Sequence, residues 1–321
     1  MKKLSILLLA VLTVCVLATS CERSKNLRLM YWNIQNGMWD GQPDNYERFV
    51  EYVKSFQPDI CVWCEAQSIF IDGTDTRCDT ADRYLVKNWD KVAARYGHQY
   101  TYIGGHRDSY PQAITSRFPI ENVARIVGVK PDSVVAHAAG WARIQFAGKE
   151  LNIVTTHTYP MSYAFNVPKH QRDSSAALNG GDYYRAMEME YVCKHTVLTD
   201  PDAADHYWML MGDFNSLSRL DKPTNGYDAW PDDDPEYLTQ DYILNNTPLI
   251  DVVREKHPGE PLYSMYKNTR LDYVYCSKPL YDRVTRADII KDEYTTPVRD
   301  SVVKNFFHPS DHLPFIIDFK F

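Results

Sequence analysis

Eight polar residues stand at the ends of short apolar runs, where they could act together on a phosphate ester. They are Asn33, Glu65, His157, Asp213, Asn215, Asp272, Asp311 and His312. The ends of strands converge at the rim of an α/β sheet, where sites are commonly built. Carboxylates can bind a hard cation, and histidines or carboxylates can move protons while a water attacks. Each residue alone is also explained as a turn former, a solvated acid or a core histidine, so only their joint presence indicates catalysis.

The elements that must position these residues follow from apolar patterning. Strands are predicted at residues 27–32, 60–64, 100–103, 113–115, 123–129, 139–146, 151–157, 207–211, 271–276 and 315–321. Helices are predicted at residues 45–56, 81–96 and 183–198. Strands alternate with helices in the outer thirds, and hairpins fill the centre, including one that turns at Ala147-Gly148-Lys149. This order predicts one α/β domain over residues 27–321, built as two sheets flanked by helices.

The first twenty residues form an export signal. Lys2 and Lys3 precede an apolar run from Leu4 to Leu17, which is too short to span a bilayer comfortably. Small residues then lead to Cys21, which resembles the lipidated cysteine of a bacterial lipobox, although Ala18 replaces the usual leucine. We therefore expect a signal peptide at residues 1–20, a tether at 21–26 and a lipid anchor on Cys21. Simple secretion and a short uncleaved anchor are the alternatives.

Charge and cysteine content restrict the partners. The formal net charge is −7, and removal of residues 1–20 deletes two lysines and no acids, which makes it −9. An acidic protein has no general field that attracts polyanions, which argues against tight nucleic-acid binding. Cys61 and Cys64 resemble a C-x-x-C pair, but no second pair completes a zinc site, and we interpret them as small buried residues of a strand.

Seven short motifs carry a resemblance to a known superfamily. They are Trp32-Asn33-Ile34-Gln35-Asn36-Gly37, Asp59 to Glu65, Thr115 to Ile120, Thr156-His157, Gly212-Asp213-Phe214-Asn215, Arg270-Leu271-Asp272-Tyr273 and Ser310-Asp311-His312. In order and spacing they resemble the endonuclease/exonuclease/phosphatase superfamily. The fold that this resemblance implies is a four-layer α/β/β/α sandwich of two mixed β-sheets flanked by helices, as in deoxyribonuclease I.

The resemblance also implies roles for the eight residues. Asn33, Glu65 and Asp311 would hold Mg²⁺ or Mn²⁺, while His312 would act as general base or polarise the phosphate. The remaining catalytic positions are His157, Asp213, Asn215 and Asp272. Asp272 would fix the tautomer of His312, as a carboxylate does for other catalytic histidines. Which residue is the general base stays open.

Two departures and one segment bear on the substrate. Abasic-site endonucleases of the superfamily carry Tyr at the position of His157 and usually Trp at the position of Thr269, so both residues point away from DNA repair. The segment 159–184 follows His157 directly and would border the cleft, unless it is a solvated insertion. Arg185, just past this segment, is a candidate phosphate contact. Arg117 is another, or else a strand-end salt bridge.

Three functions remain compatible with the sequence. The favoured one is a phosphodiesterase or phosphatase that acts on a small or lipid-linked phosphate. We expect this enzyme to be exported and lipid-anchored in a bacterial envelope membrane, where it would face the periplasm or the cell surface. The second is an extracellular nuclease, for which a bound metal would supply local positive charge. The third is a catalytically inactive surface-binding lipoprotein, which is disfavoured because every expected position holds a suitable residue. We expect a monomer.

Overall fold

The structure is a computed structural model that describes most of the chain. Described are residues 25–38, 46–67, 76, 86–104, 110–126, 135–137, 139–160, 181–303 and 306–321. The predicted signal peptide, Cys21 and residues 161–180 of the segment 159–184 lie outside the described residues. Among the described helices, none has the length and apolar character needed to cross a membrane.

Two six-stranded sheets form the centre of the fold. The first contains β1 (Asn26–Asn33), β2 (Ile60–Cys64), β3 (Tyr100–Gly104), β4 (Gln112–Ser116), β11 (Val284–Ile289) and β14 (Phe315–Lys320). The second contains β5 (Ile120–Ile126), β6 (Ala139–Phe146), β7 (Lys149–His157), β8 (Tyr207–Asp213), β9 (Leu249–Asp251) and β10 (Asp272–Ser277). Their strand orders are β11-β14-β1-β2-β4-β3 and β5-β6-β7-β8-β10-β9. The pairs β1–β2 and β7–β8 are parallel and the other neighbours are antiparallel, so both sheets are mixed.

Eight helices lie within the described residues. They are α1 (Gln35–Met38), α2 (Glu47–Phe56), α3 (Val86–Arg95), α4 (Asp182–Lys194), α5 (Lys222–Asn225), α6 (Leu238–Asn246), α7 (Val252–Lys256) and α8 (Lys278–Tyr281). Short 3₁₀ turns span Val197–Thr199, Arg219–Asp221 and Pro235–Tyr237. A small ribbon pairs β12 (Val298–Arg299) with β13 (Phe307–His308).

Alternating side chains of the strands build three apolar layers. Residues such as Tyr31, Val62 and Met211 fill the space between the two sheets. Their neighbours along the strands point outwards, because successive strand side chains face opposite sides. Thus Trp63 packs with α2 and α3, and Trp208 packs with α4 and α6. The order helix, sheet, sheet, helix confirms the predicted four-layer sandwich.

The predicted elements agree with the structure apart from their ends and a few short strands. The helix predicted at 183–198 ends at Lys194, where a 3₁₀ turn follows, and the strand predicted at 123–129 is described only to Ile126. Sequence patterning missed β9 and β11 to β13, which are short or lie at sheet edges, and it also missed the helices α1 and α5 to α8. Four cysteines are buried and free, namely Cys61, Cys64, Cys193 and Cys276, and Cys78 lies outside the described residues. The interpretation of Cys61 and Cys64 as buried strand residues is confirmed.

Candidate active site

The first sheet brings four of the predicted residues to one rim. β1 and β2 run parallel with Asn33 opposite Cys64, so Glu65 follows at the same end as Asn33. β14 runs antiparallel to β1, and therefore the residues just before it, Asp311 and His312, lie beyond that same end. The hydroxyl of Ser310 donates to the carbonyl of Asn33 at 2.7 Å and ties the two segments together.

The second sheet brings its residues to the same rim through direct strand pairing. Asp213 lies opposite His157 on β7 and opposite Asp272 on β10. Close approach of β7 and β8 requires Gly212, because a Cβ there would lie 1.9 Å from the carbonyl oxygen of Thr156. The glycine of the Gly-Asp-Phe-Asn motif therefore sets the distance between His157 and Asp213.

Two site residues follow their strands in left-handed backbone conformations. Glu65 has φ 58° and Asn215 has φ 46°, in a region that a bulky side chain such as Glu rarely adopts. The backbone N–H of Asn215 donates to Asp213 Oδ1 at 2.9 Å, and its side-chain amide donates to the carbonyl of Thr158 at 3.2 Å. Strained residues of this kind cluster at functional sites, where the surroundings hold them in place.

Asn33 acts as a hydrogen-bond donor at the centre of the rim. Its Nδ2 donates to Asp213 Oδ2 at 3.0 Å and to Glu65 Oε1 at 3.2 Å. Its Oδ1 accepts from the backbone N–H of Gln35 at 3.1 Å. The side chain thus positions two carboxylates, while its role as a metal ligand stays a prediction.

His312 and Asp272 form a buried dyad. His312 Nδ1 lies 2.6 Å from Asp272 Oδ2, and since an ionised carboxylate only accepts, Nδ1 carries the proton. The hydroxyl of Tyr31 donates to Asp272 Oδ1 at 2.6 Å, and that of Ser264 donates to Oδ2 at 2.7 Å. Three donors therefore fix the carboxylate, and it fixes the ring of His312.

The other ring nitrogen of His312 faces two more carboxylates. Nε2 lies 3.7 Å from Asp213 Oδ2 and 3.9 Å from Asp311 Oδ1. Burial opposes a charge on His312, but Asp272, Asp311 and Asp213 outweigh it and raise the pKa of the imidazole well above its usual value. The ring is therefore an imidazolium at neutral pH, with Nε2–H directed into the site.

Asp213 holds a proton more readily than an ordinary aspartate. Burial is the main cause, the charge of Asp272 adds to it, and together they raise the pKa of Asp213 to about 8 in spite of His312. Carboxylates that share a buried site repel one another, and this repulsion favours a bound proton or a bound cation. Asp213 therefore exchanges a proton near neutral pH.

His157 contributes a neutral imidazole. Its Nε2 lies 3.8 Å from Asp213 Oδ2 and 3.9 Å from Glu65 Oε1. Burial, followed by the neighbouring charge of His137, lowers its pKa well below the usual value. The rings of His137 and Tyr110 stand beside it, with centroids 4.6 Å and 6.1 Å away. Neither neighbour was identified from the sequence.

The donor set at the rim fits a hard divalent cation. Donor atoms of Glu65, His157 and Asp213 lie within 4.8 Å of one another. His157 Nε2 lies 3.8 Å from Asp213 Oδ2 and 3.9 Å from Glu65 Oε1. These distances are too long for hydrogen bonds, but they suit atoms that share a ligand placed between them. Asp311 Oδ1 is buried and has no hydrogen-bond partner among the described residues. Carboxylate oxygens suit Mg²⁺ and Mn²⁺ alike, so the geometry does not choose between them.

Arg117 is not at the site, which corrects the expectation that it contacts phosphate. It follows β4, whose end Ser116 pairs with Ile60 at the start of β2, and so it lies at the opposite end of the sheet from Glu65. Its Nη1 lies 3.3 Å from Asp59 Oδ1. The strand-end salt bridge, the alternative offered by the sequence, is what the structure contains.

Arg185 is also wrongly assigned as a phosphate contact. Its side chain is fully buried, pairs with Asp182 and lies 3.7 Å from Glu236 Oε2. It also donates to the carbonyls of Tyr159 and Pro160. Arg185 therefore joins the two described ends of the segment 159–184 and positions them. Lys169, His170 and Arg172 of that segment lie outside the described residues.

Tyr31 and Ser264 are functional positions that sequence reasoning missed. Tyr31 belongs to the same strand as Asn33 and reads as an ordinary core residue, while Ser264 lies in a loop without a motif. Both are buried and both donate to Asp272. The unpaired hydroxyl of a tyrosine inside an apolar strand was the available signal, because a buried hydroxyl needs a partner.

Comparisons with known proteins agree with this fold. The model of the Endonuclease/Exonuclease/phosphatase family matches residues 30–312. An AP endonuclease from Archaeoglobus fulgidus has a similar structure, with a TM-score of 0.57 and 18% identity over 91% of this chain and 99% of that one. Two structures of D. rerio TDP2, one humanized by 14 mutations and one complexed with a single-strand DNA product, each give a TM-score of 0.55 and 14% identity. They cover 92% of this chain and 98% and 99% of their own. No curated protein sequence matches the chain.

Proposed function

Since this chain belongs to the endonuclease/exonuclease/phosphatase family, whose members hydrolyse phosphoric ester bonds, we propose that it performs this hydrolysis with a divalent cation outside the cytoplasm. The observation that carries the proposal is the meeting of two groups on one rim. The His312–Asp272 dyad supplies a positively charged donor that faces the carboxylates of Asp213 and Asp311, and Glu65 joins Asp213 in a neighbouring group of possible metal ligands. Phosphate esters need such positive charge next to a group that accepts a proton from water.

The cation site and its contribution follow from the donor set. Glu65 would hold the ion next to Asp213, with which it shares a group of donor atoms within 4.8 Å. Asp311 would add its buried oxygen, which has no hydrogen-bond partner among the described residues. Asn33 would keep Glu65 and Asp213 in place. When bound, the ion would supply the positive charge that neutralises the phosphoryl oxygens. It would also lower the pKa of Asp213, which burial and then the charge of Asp272 raise, because a cation can replace the proton there.

The protein residues then divide the remaining work. His312 Nε2–H donates to a non-bridging phosphoryl oxygen, with its ring held by Asp272. Asp213, once deprotonated, accepts a proton from the attacking water. Hydrogen bonds from Asn33 and Asn215 hold its carboxylate in the position that this step needs. The neutral ring of His157 adds a second donor on the opposite side of Asp213. These roles place the attacking water and the phosphate on the open side of the rim.

The location and the substrate class are also part of the proposal. The apolar run before Cys21 supports export, and the small residues before it support a lipid anchor on that cysteine. The acidic net charge and the presence of His157 favour a small phosphate ester as substrate over a long nucleic acid. A nuclease is the second candidate, and the D. rerio TDP2 structure with its single-strand DNA product supports it as a fold-level analogy.

A substrate panel tests the proposal. The purified mature chain is incubated with Mg²⁺ or Mn²⁺ and plasmid DNA, RNA, inositol phosphates, sphingomyelin or a bis-aryl phosphodiester. We expect turnover of a small ester that stops with a chelator, while nuclease activity that falls steeply with salt would favour the second candidate. Absence of any turnover would sink the enzyme assignment.

Two variants and a control test the assignment of residues. Glu65→Gln and His312→Ala should each lower kcat/KM by at least about 100-fold, because each removes a charge that acts on the transition state. Glu65→Gln should also raise the concentration of metal needed for half activity. Glu150→Gln is the matched control, since Glu150 is an exposed acid at the far end of β7. Full activity in either site variant would refute the assignment.

A further inference from the structure

The rim that carries Asn33, Glu65, Asp213, Asp311 and His312 is called the catalytic rim below. A basic surface lies at the opposite end of the first sheet. We call it the anchor-end face, and it consists of Lys25, Arg28, Arg117, Arg283 and Lys320. The backbones of Lys25 and Phe321 exchange hydrogen bonds of 3.1 and 2.9 Å, and the N–H of Lys320 donates to the carbonyl of Arg283 at 2.8 Å. Arg28 and Arg117 line a cleft of about 540 Å³ together with Lys320.

The anchor-end face carries positive charge on an acidic protein. The cleft contains Arg28, Arg117 and Lys320 with the acids Asp59 and Asp318, which pair with Arg117 and Arg28. Lys25 and Arg283 add two positive charges beside it, and the pair of Lys278 with Asp282 adds none, which leaves a local charge of +3 against −7 for the whole chain. Among the described residues, the exposed side chains of Lys25, Arg283 and Lys320 form no ion pair with a carboxylate.

Partly buried aromatic rings adjoin these charges. Phe321 lies 5.3 Å from Phe146 and 5.9 Å from Tyr207, measured between ring centroids. Lys149 Nζ stands 5.8 Å above the ring of Tyr207. Aromatic rings beside lysines and arginines are typical of surfaces that rest on phospholipid headgroups. The exposed acids Asp202 and Asp205, which precede β8, limit the positive surface on the side of the second sheet.

The start of the described chain joins this face to the proposed anchor. Four residue steps separate Cys21 from Lys25, and they span at most about 14 Å. The eight residues of β1 then rise about 26 Å from this end to Asn33 at the rim. The tether is therefore too short to let the molecule turn over and bring its rim to the bilayer.

We propose that the anchor-end face rests on the anionic phospholipid surface of the membrane that holds the acyl chain, so that the catalytic rim points away from that membrane. The orientation rests on the proposed lipidation of Cys21, whereas the affinity of the face for anionic lipid does not. It follows that the substrate is a phosphate ester reached from the aqueous side. Headgroups of the same leaflet are out of reach of the site.

Vesicle binding tests the affinity of the face. The full mature chain with Cys21→Ala, which has no acyl chain, is sedimented with phosphatidylcholine vesicles that contain or lack phosphatidylglycerol. We expect binding to the anionic vesicles only. A combined Lys25→Glu, Arg283→Glu and Lys320→Glu variant should lower the partition coefficient by at least about 100-fold, since each basic residue contributes about fivefold. This variant should keep its activity on a soluble ester, because it touches no residue of the rim.

A second variant with the same change in charge controls for net charge. It combines Lys91→Glu, Arg125→Glu and Lys291→Glu, three exposed residues outside the anchor-end face. Equal loss of binding in both variants, or equal binding to neutral and anionic vesicles, would overturn the proposal. These results do not depend on turnover, so they are distinguishable from a failure of the enzymatic assignment.

Fluorescence quenching tests the orientation. A dye is placed at Lys320→Cys or at Asn268→Cys on the lipidated protein in vesicles that contain a spin-labelled lipid, which quenches nearby dyes. We expect strong quenching at position 320 and little at position 268, which lies in the loop that bonds to Asp311. The reverse pattern would show that the rim faces the bilayer and would refute the orientation.

Discussion

Replacing Asp272 by Asn removes one charge from the His312–Asp272 dyad while keeping the shape of the side chain. Asp272 is fully buried and lies 2.6 Å from His312 Nδ1. It is the carboxylate that most strongly opposes the effect of burial on His312. We therefore expect His312 to be neutral at pH 7 in Asp272→Asn, and its hydrogen bond to the phosphate to be weaker.

The size of the effect follows from the burial of the pair. Breaking a buried, hydrogen-bonded charge pair by changing one partner costs about 3–5 kcal/mol. If most of this cost appears as lost stabilisation of the transition state, the activation free energy rises by about 4 kcal/mol and kcat decreases about 10³-fold. Asp-to-Asn replacement in a Ser-His-Asp triad, where the carboxylate has a similar role, lowers kcat by about 10⁴-fold.

The pH profile separates a catalytic effect from loss of folding. His312 acts in its protonated form, and a raised pKa keeps it protonated through neutral pH. Lowering that pKa moves the decline of activity to a lower pH, so Asp272→Asn should recover part of its activity as the pH falls. Asp318→Asn, which breaks the pair with Arg28 at the opposite end of the sheet, should keep full activity. A kcat within threefold of the parent, or an unchanged alkaline limb, would contradict the reasoning.

Two further predictions concern buried positions, one beneath the rim and one at the opposite end of the first sheet. Gly212→Ala should lower the free energy of unfolding by about 3 kcal/mol and also reduce kcat, because a Cβ would meet the backbone of Thr156 and push Asp213 away from β7. Urea unfolding and steady-state kinetics measure the two effects, and Gly259→Ala, where a Cβ has open space, is the control. An unchanged kcat in Gly212→Ala would contradict the prediction. Burial lowers the pKa of His98 to about 4 from its usual 6.5, so the unfolded chain binds a proton at a higher pH than the folded protein does. The free energy of unfolding should therefore decrease by about 3 kcal/mol between pH 6.5 and pH 4. The loss should be absent in His98→Gln when unfolding is measured at both pH values, and an equal loss in the variant would disprove the assignment.

Local patterning was sufficient for the architecture. Apolar runs such as Ile60 to Cys64 are buried on both faces, so their sequence alone marks them as central strands. Helical spacing marked α2 through Phe49, Val50 and Val53. The edge strand β11 escaped notice because only two of its six residues are buried and they show no clear alternation. Edge strands have fewer neighbours, and so their sequences are less constrained.

The catalytic rim could be named from the sequence because its polar residues interrupt apolar strands at their ends. Asn33, His157 and Asp213 end their strands and Glu65 directly follows one, and the structure brings them together as expected. The roles within the rim were not accessible in this way. The amide of Asn33 donates to carboxylates, and the charge states of His157 and His312 differ because their neighbours differ.

The two misplaced arginines show where the sequence stops being informative. A basic residue beside a motif predicts a phosphate contact only if it lies at the same end of the sheet. Arg117 follows a strand that runs antiparallel to β2, and Arg185 turns into the core to meet Asp182. Strand direction and side-chain burial depend on pairing between distant segments. For the same reason the support of Asp272 by Tyr31 and Ser264, and the position of the chain start at the basic end, emerged only from the folded protein.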